Sequence, residues 1–114
     1  MVYGLMANKY KNAKVDLTGT GVTVLYTAPS ATTALVKSIL VSEDSGNADT
    51  ITVTLTDAAA SPAIFSLFKT KAIGANATLE LLTQPLTVQE GEILKVTAAN
   101  GNRLHVVASL LEIT

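Results

Sequence analysis

Cysteine is absent from this chain, and so is tryptophan. Without thiols there is no disulfide, no thiolate metal site and no cysteine nucleophile, and the redox compartment is left open. Charge is scarce too: charged residues make up 15% of the chain, against about 25% in an ordinary globular protein. The net charge of −1 comes with no basic stripe and no acidic block, so nucleic-acid binding has no electrostatic footprint. No stretch approaches the ~20 apolar residues of a membrane-spanning helix, so no membrane partner is expected. The first fourteen residues, MVYGLMANKYKNAK, hold three lysines and no acid. They lack the apolar run of a signal peptide, and we expect a soluble protein made in a cytoplasm. Aromatics are few, namely Tyr3, Tyr10, Tyr26, Phe65 and Phe68. That weighs against a sugar-binding module, which stacks its ligand on exposed aromatic platforms.

What is present is aliphatic and hydroxylated. A chain of 114 residues with 48% hydrophobic content is long enough for one domain with a two-layer core, and not for two. Threonine, serine and alanine must cover much of its surface. Surplus uncharged surface points to burial against other chains.

TITVTLT (50–56) is the clearest element. Ile51, Val53 and Leu55 alternate with threonines, which predicts a half-buried antiparallel strand. VTVLYT (22–27) reads similarly, with Val22, Val24 and Tyr26 on one side. TALVKSILVS (33–42) also fits helical spacing; the APS turn before it and its β-branched residues favour a strand. IFSLF (64–68), TLELL (78–82) and PLTVQ (85–89) are shorter strand candidates. EILKVTAA (92–99) and RLHVVASLLEI (103–113) flank Asn100-Gly101-Asn102, a strong hairpin signal. The last strand is apolar on both faces, as expected of one that is central or faces another subunit. Turn signals every 8–12 residues therefore predict an all-β chain: a single antiparallel β-sandwich, jelly-roll or Ig-like, of about 8–9 short strands. Residues 1–14 lack clean alternation and are read as an extended N-terminal arm, an ordinary or frayed first strand being the alternative, with residues 15–114 as the sandwich domain. Tyr26, Phe65 and Phe68 are expected in the core, and Tyr3 and Tyr10 exposed on the arm.

Few polar residues are grouped closely enough for chemistry. Glu90 and Glu92 flank Gly91, but paired catalytic carboxylates usually come from different elements across a cleft. They read as a strand corner with both side chains in water. SEDSGNAD (42–49) has oxygen ligands without calcium-loop spacing and reads as a surface turn. His105 is the single histidine, with no GxSxG elbow accompanying any serine. It reads as structural, near an interface. We expect no enzyme, no catalytic or metal site and no cofactor. The candidate interface residues are Tyr3, Leu5, Met6 and Tyr10 on the arm and His105, Val107 and Leu111 on the last strand.

LYTAPSATTALVKSILVSEDSGNADTITVTLTD (25–57), GANATLELL (74–82), QPLTVQEGEILKVTA (84–98) and LHVVASLLEI (104–113) together resemble a family of small virion proteins of tailed bacteriophages. They look most like versions from phages of marine cyanobacteria. The match spans about residues 22–113 and includes Tyr26, Pro29, Lys37, Gly46, Gly91, His105 and Glu112. Where family members often carry Asn before the Ser-Gly turn, this chain has Glu43-Asp44. The resemblance implies a non-enzymatic virion component, above all a capsid decoration (cement) protein. Such a protein would contact the major capsid protein or other virion proteins and form a homo-oligomer, a trimer being favoured. A tail, neck or baseplate adaptor is the alternative; a host-surface or carbohydrate-binding module fits less well.

Overall fold

The structure is a computed structural model describing residues 8–60 and 62–114. The described residues form nine strands: β1 (Asn8–Leu17), β2 (Thr23–Thr27), β3 (Thr33–Glu43), β4 (Asp49–Asp57), β5 (Ala63–Ile73), β6 (Thr78–Glu80), β7 (Leu86–Val88), β8 (Ile93–Ala98) and β9 (Leu104–Ile113). One sheet has the order β1-β9-β3-β6, with β7 also paired to β3; the other has the order β2-β8-β4-β5. Every pairing is antiparallel.

The pairs β4–β5, β3–β6/β7, β2–β8 and β1–β9 are successive rungs of one long hairpin whose tip follows β4. Folding that ribbon over adds the β3–β9 and β4–β8 pairings and creates two stacked sheets. This is the jelly-roll arrangement of a β-sandwich, which answers the choice that the sequence left open.

The core lies between the sheets. Leu104, Val106, Ala108 and Leu110 of β9 and Val36, Ile39 and Val41 of β3 meet Ile51 and Val53 of β4 and Leu94 and Val96 of β8. Each strand contributes by its period of two, so opposite faces of β9 alternate buried and open. Among the described residues no helix is long and apolar enough to cross a membrane.

Several local expectations are corrected. Residues 8–14, read as part of an arm, are the first seven residues of β1, and Asn8 to Leu17 pair with Ile113 to Leu104. Backbone pairing holds this segment even though its side chains alternate poorly. Residues 1–7, including Tyr3, Leu5 and Met6, lie outside the described residues. The Asn-Gly segment does not close a hairpin, because β8 and β9 belong to different sheets. Asn102, at φ 61, takes the left-handed conformation there. Gly101 serves a close approach instead, since a Cβ on it would lie 2.5 Å from the Thr18 carbonyl oxygen. In β2 a bulge between Val24 and Tyr26 buries the consecutive residues Leu25 and Tyr26 and leaves Val22 and Val24 exposed. Phe68 packs against the core, whereas Phe65 is 53% exposed on the edge strand β5.

Candidate functional site

Of the seven interface candidates, the structure brings four onto one surface, the outer face of the β1-β9-β3 sheet. His105, Val107 and Leu111 project from the open side of β9. Tyr10 stands opposite Leu111 on β1, Lys14 opposite Val107, and Asp16 opposite His105. From β3, Leu35 lies opposite Leu111 and Leu40 opposite Val107. Tyr10 is 73% exposed and Leu40 40%. The Lys37 ammonium sits 5.6 Å from the centre of the Tyr10 ring, an attraction between a cation and the negative face of the ring.

Leu35, Lys37 and Leu40 were not singled out from sequence, and the reason is physical. Strict alternation would put Leu35 and Leu40 on opposite faces. A bulge between Val36 and Ser38 resets the phase, so both turn outward. A mixed spacing of aliphatics in 35–41 was the available signal, and it resembled helical periodicity instead.

The face has an apolar centre of Leu35, Leu40, Val107 and Leu111 and a charged border. At one end the His105 imidazole has Nε2 3.2 Å from Asp16 Oδ1 and Nδ1 3.5 Å from Asp44 Oδ2. A neutral ring can donate to only one of these carboxylates, and a protonated ring to both. The three groups come from β9, β1 and the loop after β3, so strand register assembles them. An apolar centre with a polar rim is the layout of a protein contact surface. The opposite sheet presents a different exterior, with Thr52, Thr54 and Thr97 beside Lys95.

The remaining carboxylates are engaged by hydrogen-bond donors. Glu43 and Asp49, read as surface-turn residues, are buried. Glu43 accepts from the amides of Ser45 (2.7 Å), Gly46 (3.1 Å) and Asn76 (2.9 Å) and from the Ser45 hydroxyl. Burial alone would raise its pKa, but the Ser45 hydroxyl and the amide donors outweigh burial and hold it down at about 2. Asp49 accepts from the Thr50 amide and from the backbone and side-chain amides of Asn100. Glu90 and Glu92 do form the expected corner around Gly91 at φ 79. Their carboxylates are not idle, however: Glu90 accepts from the Ala31 amide, and Glu92 from the Gln89 amide at 2.7 Å. Among the described residues no group of three or more His, Cys, Asp or Glu is placed to hold a metal ion.

One buried polar pair links the two sheets. Tyr26 of β2 donates to Glu112 Oε2 of β9 at 2.5 Å, and the Lys11 ammonium lies 3.5 Å from the same oxygen. Burial, followed by the hydrogen bond and the negative charge of Glu112, pushes the Tyr26 hydroxyl well above its ordinary pKa. These contacts are structural, so the surface of the β1-β9-β3 sheet remains the best candidate for function.

No family model and no curated protein matches the chain by sequence. In fold it is similar to a solved chain from Bacillus endospore appendages, described as forming a novel family of disulfide-linked pili. The TM-score is 0.58 at 10% identity, covering 100% of this chain and 94% of that one. At that identity the likeness is one of fold. With no cysteine, this chain cannot make the disulfides after which those pili are described.

Proposed function

We propose that the protein is a non-enzymatic structural subunit of a virion, a capsid decoration (cement) protein of a tailed bacteriophage that bridges coat subunits as a homotrimer. The observation that carries this reading is the outer face of the β1-β9-β3 sheet. Tyr10, Leu35, Leu40, Val107 and Leu111 make an apolar surface on regular strands, bordered by Lys14, Lys37 and the Asp16–His105–Asp44 cluster. The resemblance of residues 22–113 to small phage virion proteins supplies the setting. A rigid two-sheet body suits a cement protein, because each contact adds interface area that a shell must lose before it bursts. Stable attachment needs about 1,200–2,000 Å² buried per site.

A second reading, a tail, neck or baseplate adaptor, draws on the fold likeness to an appendage subunit. A sandwich fold shared with a pilus-forming chain also suits rings and tubes.

Immunogold electron microscopy of purified particles, with antibody to this chain, separates these readings. Label over the head is the expected result. Label confined to tail or neck would replace the cement reading by the adaptor, and particles without label would remove both.

A further inference from the structure

Asn100-Gly101, the chain's single Asn-Gly step, lies in the corner that carries the backbone from β8 in one sheet to β9 in the other. Hydrogen bonds pin this corner on several sides. The Ala99 amide donates to the Thr50 carbonyl at 3.3 Å, and the Asn102 amide to the Leu17 carbonyl at 2.9 Å. Asn100 donates twice to Asp49, from its backbone amide to Oδ2 at 3.2 Å and from its side-chain amide to Oδ1 at 3.1 Å. Asp49 is only 5% exposed, so these donors replace water that its carboxylate has given up. Gly101 passes close to a neighbouring segment: a Cβ on it would lie 2.5 Å from the Thr18 carbonyl oxygen and 3.3 Å from Gly19 Cα. The fold therefore asks for an amide side chain at 100, to hold Asp49, and for glycine at 101, to pass Thr18.

Together these two residues form a chemically labile pair. The backbone nitrogen that follows an asparagine can attack the side-chain carbonyl carbon, and glycine, lacking a Cβ, shields that nitrogen least. The Gly101 nitrogen bonds to Asn100 Cγ, the bond from Cγ to Nδ2 breaks, and Nδ2 leaves as ammonia with the proton that the Gly101 nitrogen gives up. The product is a five-membered imide. Water then opens it at either carbonyl: attack at Cγ yields aspartate, and attack at the main-chain carbonyl carbon yields isoaspartate, whose backbone runs through Cβ and Cγ. No oxidant, metal or partner is required, and Asn100 is exposed to the water that the second step consumes.

We propose that Asn100 is a site of spontaneous covalent modification, and that its conversion to isoaspartate or aspartate unpins the corner between β8 and β9. Either product removes the side-chain donor that lies 3.1 Å from Asp49 Oδ1 and puts a second carboxylate in its place, so attraction turns to like-charge repulsion beside a buried group. Isoaspartate also lengthens the backbone by one methylene immediately before Gly101. That residue has no slack against Thr18, so the added atom displaces Asn102 from its bond to the Leu17 carbonyl. The change runs one way and loosens the crossing between the two sheets as the protein ages. It goes beyond the virion reading and is independent of it.

The test holds the full-length protein at physiological temperature and mildly alkaline pH beside a synthetic TAANGNRL peptide, until half of the peptide has converted. Peptide mass mapping should show the gain of about 1 Da that replacing an amide by a carboxyl brings, confined to Asn100 and formed within tenfold of the peptide's rate. Asn47, Asn76 and Asn102, none followed by glycine, serve as internal controls. Methylation by an isoaspartyl methyltransferase identifies the isoaspartate, and the converted fraction should melt at least about 5 °C below the fresh protein. Asn100→Asp introduces the charge without the longer backbone and should itself lower Tm. Adding Asp49→Asn puts a donor opposite the new carboxylate and should recover at least half of that loss. Conversion in the folded chain slower than a tenth of the peptide rate would show that the corner shields Asn100, and would overturn the proposal. Conversion with no fall in Tm, or an Asn100→Asp protein as stable as the parent, would overturn it as well. Should Asn100→Asp fail to fold, the Asp49→Asn/Asn100→Asp protein decides: if it fails too, pairing with Asp49 is not what the corner depends on, and the proposal is lost.

Discussion

The buried Tyr26–Glu112 contact makes a quantitative prediction. Glu112 is 8% exposed and its Oε2 has two partners, the Tyr26 hydroxyl at 2.5 Å and the Lys11 ammonium at 3.5 Å. A hydrogen bond to a charged group contributes about 1.5–3 kcal/mol. Tyr26→Phe removes the shorter contact without changing ring packing, so it should cost about 2 kcal/mol. For a domain of this size that lowers Tm by about 8–12 °C. Glu112→Leu strands the Tyr26 hydroxyl and should cost a similar amount, about 1–3 kcal/mol. The double variant Tyr26→Phe/Glu112→Leu replaces both partners with apolar groups and should lose much less than the sum, giving a coupling of about 1.5–2 kcal/mol. Urea unfolding followed by far-ultraviolet circular dichroism measures all four proteins. The raised Tyr26 pKa fixes the direction of a pH effect. Its stabilisation is complete below the unfolded tyrosine pKa of about 10 and is lost as pH rises beyond it. Tyr26→Phe should therefore flatten the alkaline fall in stability. Additive single losses, or a Tyr26→Phe protein within about 0.5 kcal/mol of the parent, would refute the argument, since a working charged hydrogen bond lies outside that range.

Gly101→Ala should cost about 2–3 kcal/mol, because its Cβ would meet the backbone carbonyl of Thr18 at 2.5 Å. Gly91→Ala has open space but a φ of 79, and should cost only about 1–2 kcal/mol; chemical unfolding of the pair checks the order. Thr56 has a buried hydroxyl with no hydrogen-bond partner among the described residues, so Thr56→Val should be neutral or raise stability by up to about 1 kcal/mol in the same assay. With the Glu43 pKa held at about 2, its stabilisation is present above the ordinary carboxylate pKa and is lost as pH falls from there toward 2. Glu43→Gln should lower Tm at neutral pH and flatten the acid limb over that window, as read by thermal melts from pH 7 to 2.

The all-β class was legible because alternation in TITVTLT and around the last strand is simple: aliphatics inward, hydroxyls or mixed residues outward, with Thr56 the buried exception. Phase shifts were not legible. The bulges at Leu25 and Lys37 each insert one residue, and nothing in the local composition marks them. They decide that Leu25 and Tyr26 are buried together and that Leu35 and Leu40 share the outer face. The Asn-Gly segment shows a different limit. Its residues announce a turn, but whether that turn joins neighbours in one sheet or crosses between sheets depends on where the strands go. Asn76 and Asn102 take positive φ as asparagine readily does, whereas Ala31 and Thr70 do so with no sequence signal. At the candidate surface, the open side of β9 was readable from its own alternation. The Asp16–His105–Asp44 cluster was not, because register alone brings together residues from three separate segments.

Glu112 and Glu43 have a further consequence for specificity. Both point inward from neighbouring central strands, at opposite ends of the β3–β9 pair: Glu112 opposite Ala34, and Glu43 opposite Leu104. The outer face of β9 is itself apolar at Val107, Leu111 and Ile113, so hydrophobicity alone distinguishes its two faces poorly. A one-residue slip exchanges the faces of a strand. In β9 such a slip would turn Glu112 away from Tyr26 and leave a buried hydroxyl without its acceptor. In β3 it would pull Glu43 from the amides of Ser45, Gly46 and Asn76. The alternatives that aliphatic packing would tolerate are thus penalised by polar contacts at both ends. A strand that is apolar on its outer face as well can in this way still choose a single register within its own sheet.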